Sequence, residues 1–141
     1  MKASSIAALR IMEVREMIEN LVETTSDQLL AETSSCKYQN YRYVTSTCVD
    51  NGDDTIDVYY HFDKDYEMRN VKITVKKDEE IPSISKIFFS AILVENEMKE
   101  LFGLNITDIA IDYGGHMLLS DEELSSPMLR QQITIEQRGG K

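Results

Sequence analysis

IPSISKIFFSAILVENEMKELFG, residues 81–103, is the stretch around which the rest of the chain arranges itself. Pro82 cannot continue a strand ladder and holds Ile81 extended, Ser83 is placed to cap a helix, and Gly103 supplies a left-handed stop. Between those signals the spacing predicts one helix. Wound at about 100° per residue, Ile84, Ile87, Phe88, Ala91, Ile92, Val94, Met98, Leu101 and Phe102 share one broad apolar face. Two features exceed what a covering helix needs. Glu95 projects from the middle of the apolar arc, one turn from Ala91 and Met98. Phe89 and Leu93 project from the other side, among Lys86, Ser90, Glu97 and Glu100, which the pattern places toward solvent.

Upstream, the period changes to two. Between Tyr38 and Val75, the residues Tyr41, Tyr43, Thr45, Thr47 and Val49 alternate with Arg42, Val44, Ser46 and Cys48. Asp50-Asn51-Gly52-Asp53 is a hairpin signal, because Asn-Gly accepts the positive φ angles of a type I′ turn. Ile56, Val58, Tyr60 and Phe62 share a face of the next strand, Asp63-Lys64-Asp65 reads as a polar turn, and Val71, Ile73 and Val75 share a face of a third strand. An antiparallel meander with one apolar face needs a cover, and the 83–102 helix provides it. Past Gly103, alternation at Ile109, Ile111 and Tyr113 predicts a further strand. Gly114-Gly115 reads as a turn, Met117-Leu118-Leu119 as a short apolar piece, Ile133-Thr134-Ile135 as an edge strand, and Gly139-Gly140-Lys141 as a frayed end. Before the meander, Ile11, Val14, Met17, Ile18, Leu21 and Val22 recur at helical spacing and predict an amphipathic helix from Ser4 to Glu23. A short extended piece at 11–14 followed by a helix from Arg15 fits the same residues. Ser26 is placed to cap a short second helix through Leu29, Leu30 and Glu32. The expected fold class is α+β: two layers, a mostly antiparallel sheet covered by helices on one face, with residues 1–141 forming a single domain.

Composition narrows the function classes. Asp and Glu total 25 against 15 Lys and Arg, a formal charge of −10. That balance disfavours nucleic acid, which needs a basic surface to displace counterions, and direct binding to an anionic membrane. No apolar run approaches the ~20 residues of a membrane span, and no secretory signal is evident, so the expected location is cytoplasmic. Cys36 and Cys48 are too few for an iron–sulfur cluster, which takes about four thiolates, and both read as small apolar fillers. The acids Asp50, Asp53, Asp54 and Asp57 lack EF-hand spacing and read as a solvated hairpin tip. His61 and His116 have no partner at metal-ligand spacing. No phosphate-binding glycine loop or nucleophile elbow occurs. No catalytic, cofactor-binding or metal residue is therefore assigned.

Glu95 is the carboxylate that needs an explanation. An unpaired buried carboxylate costs several kcal/mol, so it must be neutral, hydrogen-bonded or paired with a cation. As a structural carboxylate it takes an internal partner such as Arg42, Arg69 or a tyrosine hydroxyl. As a functional one it is a proton relay or general base. A single acid with no second group is not an active site, and the structural role is the better reading.

Glu95-Asn96-Glu97-Met98-Lys99-Glu100-Leu101-Phe102-Gly103, preceded by Pro82-Ser83, resembles the signature of the 30-kilodalton subunit family of respiratory complex I. The Glu-Asn-Glu form, where the complex I version has Glu-Arg-Glu, is more similar to the small subunit of energy-converting, membrane-bound nickel–iron hydrogenases. Gly115-His116-Met117 and Ser126-Pro127-Met128-Leu129-Arg130 match the family's later segments only in part, which also favours the hydrogenase branch. The resemblance implies a non-catalytic subunit without a cofactor of its own. Its partner is the large catalytic subunit, and it reaches the inner face of the cell membrane only through partner subunits. The surface expected to meet that partner is Phe89, Leu93, Glu97, Glu100, Phe102 and Gly103. The competing expectation is a free-standing small α+β enzyme or binding module with a site around Glu95 and His61.

Overall fold

The structure is a computed structural model and describes residues 18, 20–120 and 126–129. Chain order is β1 (Leu21–Thr24), a 3-10 turn (Ser26–Gln28), α1 (Leu29–Tyr38), β2 (Arg42–Asp50), β3 (Thr55–Lys64), β4 (Glu67–Lys76), β5 (Glu80–Pro82), α2 (Ala91–Phe102) and β6 (Asn105–Thr107). The architecture is α+β. A four-stranded sheet has the order β1-β4-β3-β2, and β5 and β6 form a separate parallel pair.

The predicted meander is present, with β2, β3 and β4 consecutive and antiparallel. Ile56, Val58, Tyr60, Phe62, Val71, Ile73 and Val75 line its core face, each at most 1% exposed. Burying such side chains stabilises the fold by about 1.5–3 kcal/mol apiece, more than strand propensities differ, so the buried face sets the register. Both helices cover this face, because Leu29 and Cys36 of α1 join Ala91 and Met98 of α2 in one core cluster with the strands.

Strict alternation fails once, in β2. The pairing passes from Tyr43↔Phe62 to Thr45↔His61, leaving Val44 as a bulge. Beyond it the core side is carried by Ser46, Cys48 and Asp50, opposite Tyr60, Val58 and Ile56. Cys48 packs against the core as a half-buried filler.

The turns also differ from expectation. Asn51–Asp54 is a four-residue connection in which Gly52 alone has positive φ (81°). Asp50 accepts the Gly52 N–H at 2.9 Å, and Asp53 accepts the Thr55 N–H at 2.8 Å, so side chains close the loop instead of a type I′ backbone. The type I′ signs occur at the next hairpin, where Asp65 (φ 51°) and Tyr66 (φ 68°) connect Lys64 to Glu67.

Three further expectations are corrected. Leu21–Thr24 is a strand parallel to β4, with Leu21 opposite Asn70 and Thr24 opposite Ile73, so the predicted helix cannot extend to Glu23. Ile18 and Asn20 are described and not helical, Asn20 having φ 52°, while residues 4–17 and 19 of that helix lie outside the described residues, as do the Ile133–Ile135 strand and the Gly139–Lys141 end. Ser26 does not cap α1; its hydroxyl donates to Glu79 at 3.2 Å, and the helix runs on to Tyr38. The strand after Gly103 is Asn105–Thr107, while Ile109 is a core residue of a loop and Ile111 and Tyr113 are exposed. Gly114 and Gly115 form the expected turn, with φ of 63° and 81°.

Candidate functional site

α2 starts eight residues later than the pattern predicts. The Ser83 N–H donates to the Thr107 carbonyl at 2.9 Å, which extends the β5–β6 pairing through a residue expected to cap a helix. Residues 83–90 then coil in tight turns, with the Ile87 and Phe88 N–H groups both bonded to the Ile84 carbonyl at 3.0 and 2.8 Å. Such turns keep Ile84 and Phe88 on the core side, so the burial periodicity imitates a helix. The C-terminal end is as predicted: Gly103 has φ 68°, and its N–H bonds the Lys99 carbonyl.

The helix carries its polar side chains inward as ties to the segments on either side. Glu95 is completely buried. Its carboxylate accepts the Ser83 hydroxyl at 2.5 Å and the Ile84 N–H at 2.7 Å. Behind Ser83, the Ser85 hydroxyl donates to the Ser83 oxygen at 2.7 Å and accepts the Ala110 N–H at 2.9 Å. The chain of donors runs one way and ends on the carboxylate. Arg42 and Arg69, expected as partners of Glu95, are instead paired with Asp63 of β3 and Glu32 of α1. Burial raises the Glu95 pKa above its ordinary value, against the lowering effect of the two hydrogen bonds. The Tyr60 hydroxyl shares this interior with no hydrogen-bond partner among the described residues. Its pKa is raised well above 10, first by burial and then by the Glu95 charge.

Asn96 is nearly as buried as Glu95 and uses most of its amide. Its nitrogen donates to the Ile92 and Ile111 carbonyls, both at 2.8 Å, and its oxygen accepts the Tyr113 N–H at 3.0 Å. Lys99 pairs with Asp112 at 2.7 Å. Glu100, expected on the solvent face with Glu97, is 4% exposed. It turns inward because its carboxylate accepts the Met117 N–H and, at 2.8 Å, the Leu118 N–H. Three of these roles were missed from sequence. The Ser-x-Ser at 83–85 and an Asn inside a helix were the available signals, because both residue types bond neighbouring backbone.

The remaining candidate residues separate by exposure. Phe89 is 70% and Leu93 59% exposed, and Glu97 is exposed one turn beyond Leu93. Phe102 is half-buried against the core. Gly103 is exposed, yet a Cβ there would lie 2.5 Å from the Ser126 Oγ, so the 126–129 segment rests on it. The Met128 N–H caps the Leu101 carbonyl at 2.8 Å in the same contact.

His61 and Glu95 do not form a site. Tyr60 and Phe62 on either side of His61 point into the core, so His61 lies on the opposite sheet face. There its ring nitrogens bond Asn70 at 2.6 Å and Thr47 at 3.0 Å. Among the described residues no cluster of His, Cys, Asp or Glu is arranged to hold a metal ion.

Comparison with known proteins agrees with the Glu95–Gly103 motif. The C subunit of the NADH-quinone oxidoreductase of Ruegeria pomeroyi is 29% identical over 112 residues, covering 72% of this chain and 55% of that protein. Its counterpart from Jannaschia sp. is 28% identical over 104 residues, 67% of this chain and 50% of that one. The chain thus spans about half the length of these relatives. A chain of the membrane-bound sulfane sulfur reductase, an archaeal respiratory membrane complex, has the same fold: TM-score 0.64 at 17% identity, covering 87% of this chain and 80% of that one. The family model for the respiratory-chain NADH dehydrogenase 30 Kd subunit matches residues 20–136, and the chain belongs to that family.

Proposed function

We propose that this chain is a non-catalytic assembly subunit of a membrane-associated oxidoreductase complex, of the NADH:quinone or the energy-converting nickel–iron hydrogenase type. It docks on the large catalytic subunit, supports electron transfer coupled to ion translocation, and reaches the cytoplasmic face of the membrane through its partners. The observation that carries this reading is how the motif acids are used. Glu95 and Glu100 accept hydrogen bonds from the chain's own Ser83, Ile84, Met117 and Leu118, which leaves neither free to act on a substrate. The exposed side of the same helix offers Phe89 and Leu93 with Glu97 beside them, an apolar patch with a polar rim. Among the described residues no helix is long and apolar enough to cross a membrane, which fits attachment through partners.

The test is co-expression with the large subunit encoded in the same genome, with Phe89→Ser and Leu93→Gln introduced together. Both residues are mostly exposed, so the thermal midpoint of the isolated chain should hold while co-purification is lost. A marked drop in stability would assign the two residues to the chain's own core. Unimpaired co-purification would move the interface elsewhere.

A further inference from the structure

We infer that the docking surface continues past the helix onto one end of the sheet, where Tyr38, Tyr66 and Phe89 form an aromatic cap that fits an apolar, acid-rimmed face of the large subunit. This rests on the assembly role proposed above and adds where the anchor residues are and what they meet.

Tyr66, Tyr38 and Phe89 are 103%, 90% and 70% exposed, the most exposed large hydrophobic side chains among the described residues. They come from the β3–β4 hairpin, the end of α1 and the turns before α2, and packing around the Phe88 ring links these three segments. The Phe88 ring, next to Phe89, packs on Phe62 at 5.3 Å and on Tyr43 at 6.4 Å. Phe62 lies on the strand that runs into the Asp65–Tyr66 turn. The Lys37 ammonium, next to Tyr38, sits 5.0 Å from the centre of the same Phe88 ring. Asn40, two residues past Tyr38, lines an open cleft together with Arg42, Asp63 and Tyr66.

The backbone at Tyr66 is an independent observation. Of the non-glycine residues with positive φ, Asn20, Asn40, Asp65, Asp108 and Ser126 are short polar types. Tyr66, at φ 68°, is the one bulky member among the described residues. An aromatic in this conformation is strained, and the second position of a type I′ turn prefers glycine. At 103% exposure the ring has no packing among the described residues to offset that strain. A solvent-facing tyrosine held on a strained turn backbone is the kind of group that anchors an interface.

Charge indicates the partner's face. The chain carries −10 overall, yet the exposed Lys37, Lys64 and Lys86 lie within three residues of Tyr38, Tyr66 and Phe89 in the chain, and Arg42 is neutralised by Asp63. Asp65, Glu67 and Glu97 are the nearby exposed acids, so this end is close to balanced where the chain as a whole is strongly acidic. An acidic rim on the partner complements the three lysines.

The test compares wild type, Tyr66→Gly, Tyr38→Ser and a Lys37→Glu/Lys64→Glu/Lys86→Glu variant for affinity to the purified large subunit. Tyr66→Gly should raise the thermal midpoint of the isolated chain and weaken binding about tenfold or more. Tyr38→Ser should weaken binding at unchanged midpoint, and the charge-reversed variant should bind less well and lose most of its salt sensitivity. Wild-type affinity in Tyr66→Gly and Tyr38→Ser overturns this inference and leaves the assembly role standing. A large subunit that fails to bind wild type overturns both. Flotation of wild type, but not of Tyr66→Gly, with phosphatidylserine-containing vesicles assigns the cap to a membrane surface and overturns the protein partner. A lower midpoint for Tyr66→Gly means the ring supports the chain's own fold, which also overturns it.

Discussion

Glu95 sits in the core with no cation beside it among the described residues, and its carboxylate accepts from one hydroxyl and one backbone N–H. Removing the side chain takes the acceptor from the buried Ser83 O–H and Ile84 N–H, so Glu95→Ala should cost about 1–3 kcal/mol, and Glu95→Gln less because the amide can still accept from Ile84. The pH dependence has a definite sign. Burial raises the folded pKa above the ordinary value of 4.5, so the folded chain binds the Glu95 proton more tightly than the unfolded chain does. The Glu95 contribution is therefore full below about that unfolded value and declines as pH rises through the folded one. The stability of wild type relative to Glu95→Gln should fall across that interval, as followed by chemical denaturation over a pH series. A constant difference would mean that Glu95 has the same pKa in both states. Tyr60 and Tyr43 are the titratable groups close to this carboxylate, and burial, chiefly, pushes both hydroxyls above their ordinary value of 10, so neither titrates in that range.

At the scale of the element, α2 organises residues 83–118 through its polar side chains and its glycine cap. Gly103 has two separate reasons to be glycine: its positive φ, and the approach of Ser126 to within 2.5 Å of where a Cβ would be. Gly103→Ala should destabilise by about 1–3 kcal/mol and release the 126–129 segment, seen as faster amide exchange at Met128, whose N–H caps Leu101. Adding Ser126→Gly relieves the contact but not the φ strain, so it should restore part of the loss. Full recovery would show that crowding alone made glycine necessary. The ends of this helix are unequally legible in sequence. The glycine stop is a local steric preference, and the structure has it where the sequence places it. The start is displaced because the Ser83 N–H is taken by β6, a partner more than twenty residues away, which local capping preferences do not reveal.

For the whole molecule, the proposed assembly role calls for no cofactor held by this chain. The chain purified alone should carry no flavin or iron–sulfur absorbance and no stoichiometric iron. Cys36 lies in the α1 core face and Cys48 on β2, and two thiols fall short of the about four that a cluster needs. A visible charge-transfer band or an iron content near one per chain would overturn this. The mixed character of the sheet is also a whole-molecule property. β1 pairs in parallel with β4 although its residues continue a helical apolar spacing, because Leu21 and Val22 gain a ladder of backbone hydrogen bonds beside Asn70 and Val71.

The sequence by itself determined the antiparallel meander, its buried face, the covering helix with its glycine stop, the burial of Glu95, the exposure of Phe89 and Leu93, and the family. Each of these follows from interactions local along the chain: alternation of side chains across a strand, the 3.6-residue turn, the φ freedom of glycine and the spacing of a motif. Tertiary structure alone decided which groups satisfy Glu95, that Glu100 turns inward, that Val44 bulges, that Leu21–Thr24 is a strand, and that the Phe88 ring packs on Phe62 and Tyr43. The physical reason is common to all of them. A buried polar group takes whichever donor or acceptor the packed fold brings within about 3 Å, and a packed core brings together rings far apart in the chain. The sequence names the residues in such contacts, but the pairings are made only when the chain closes on itself.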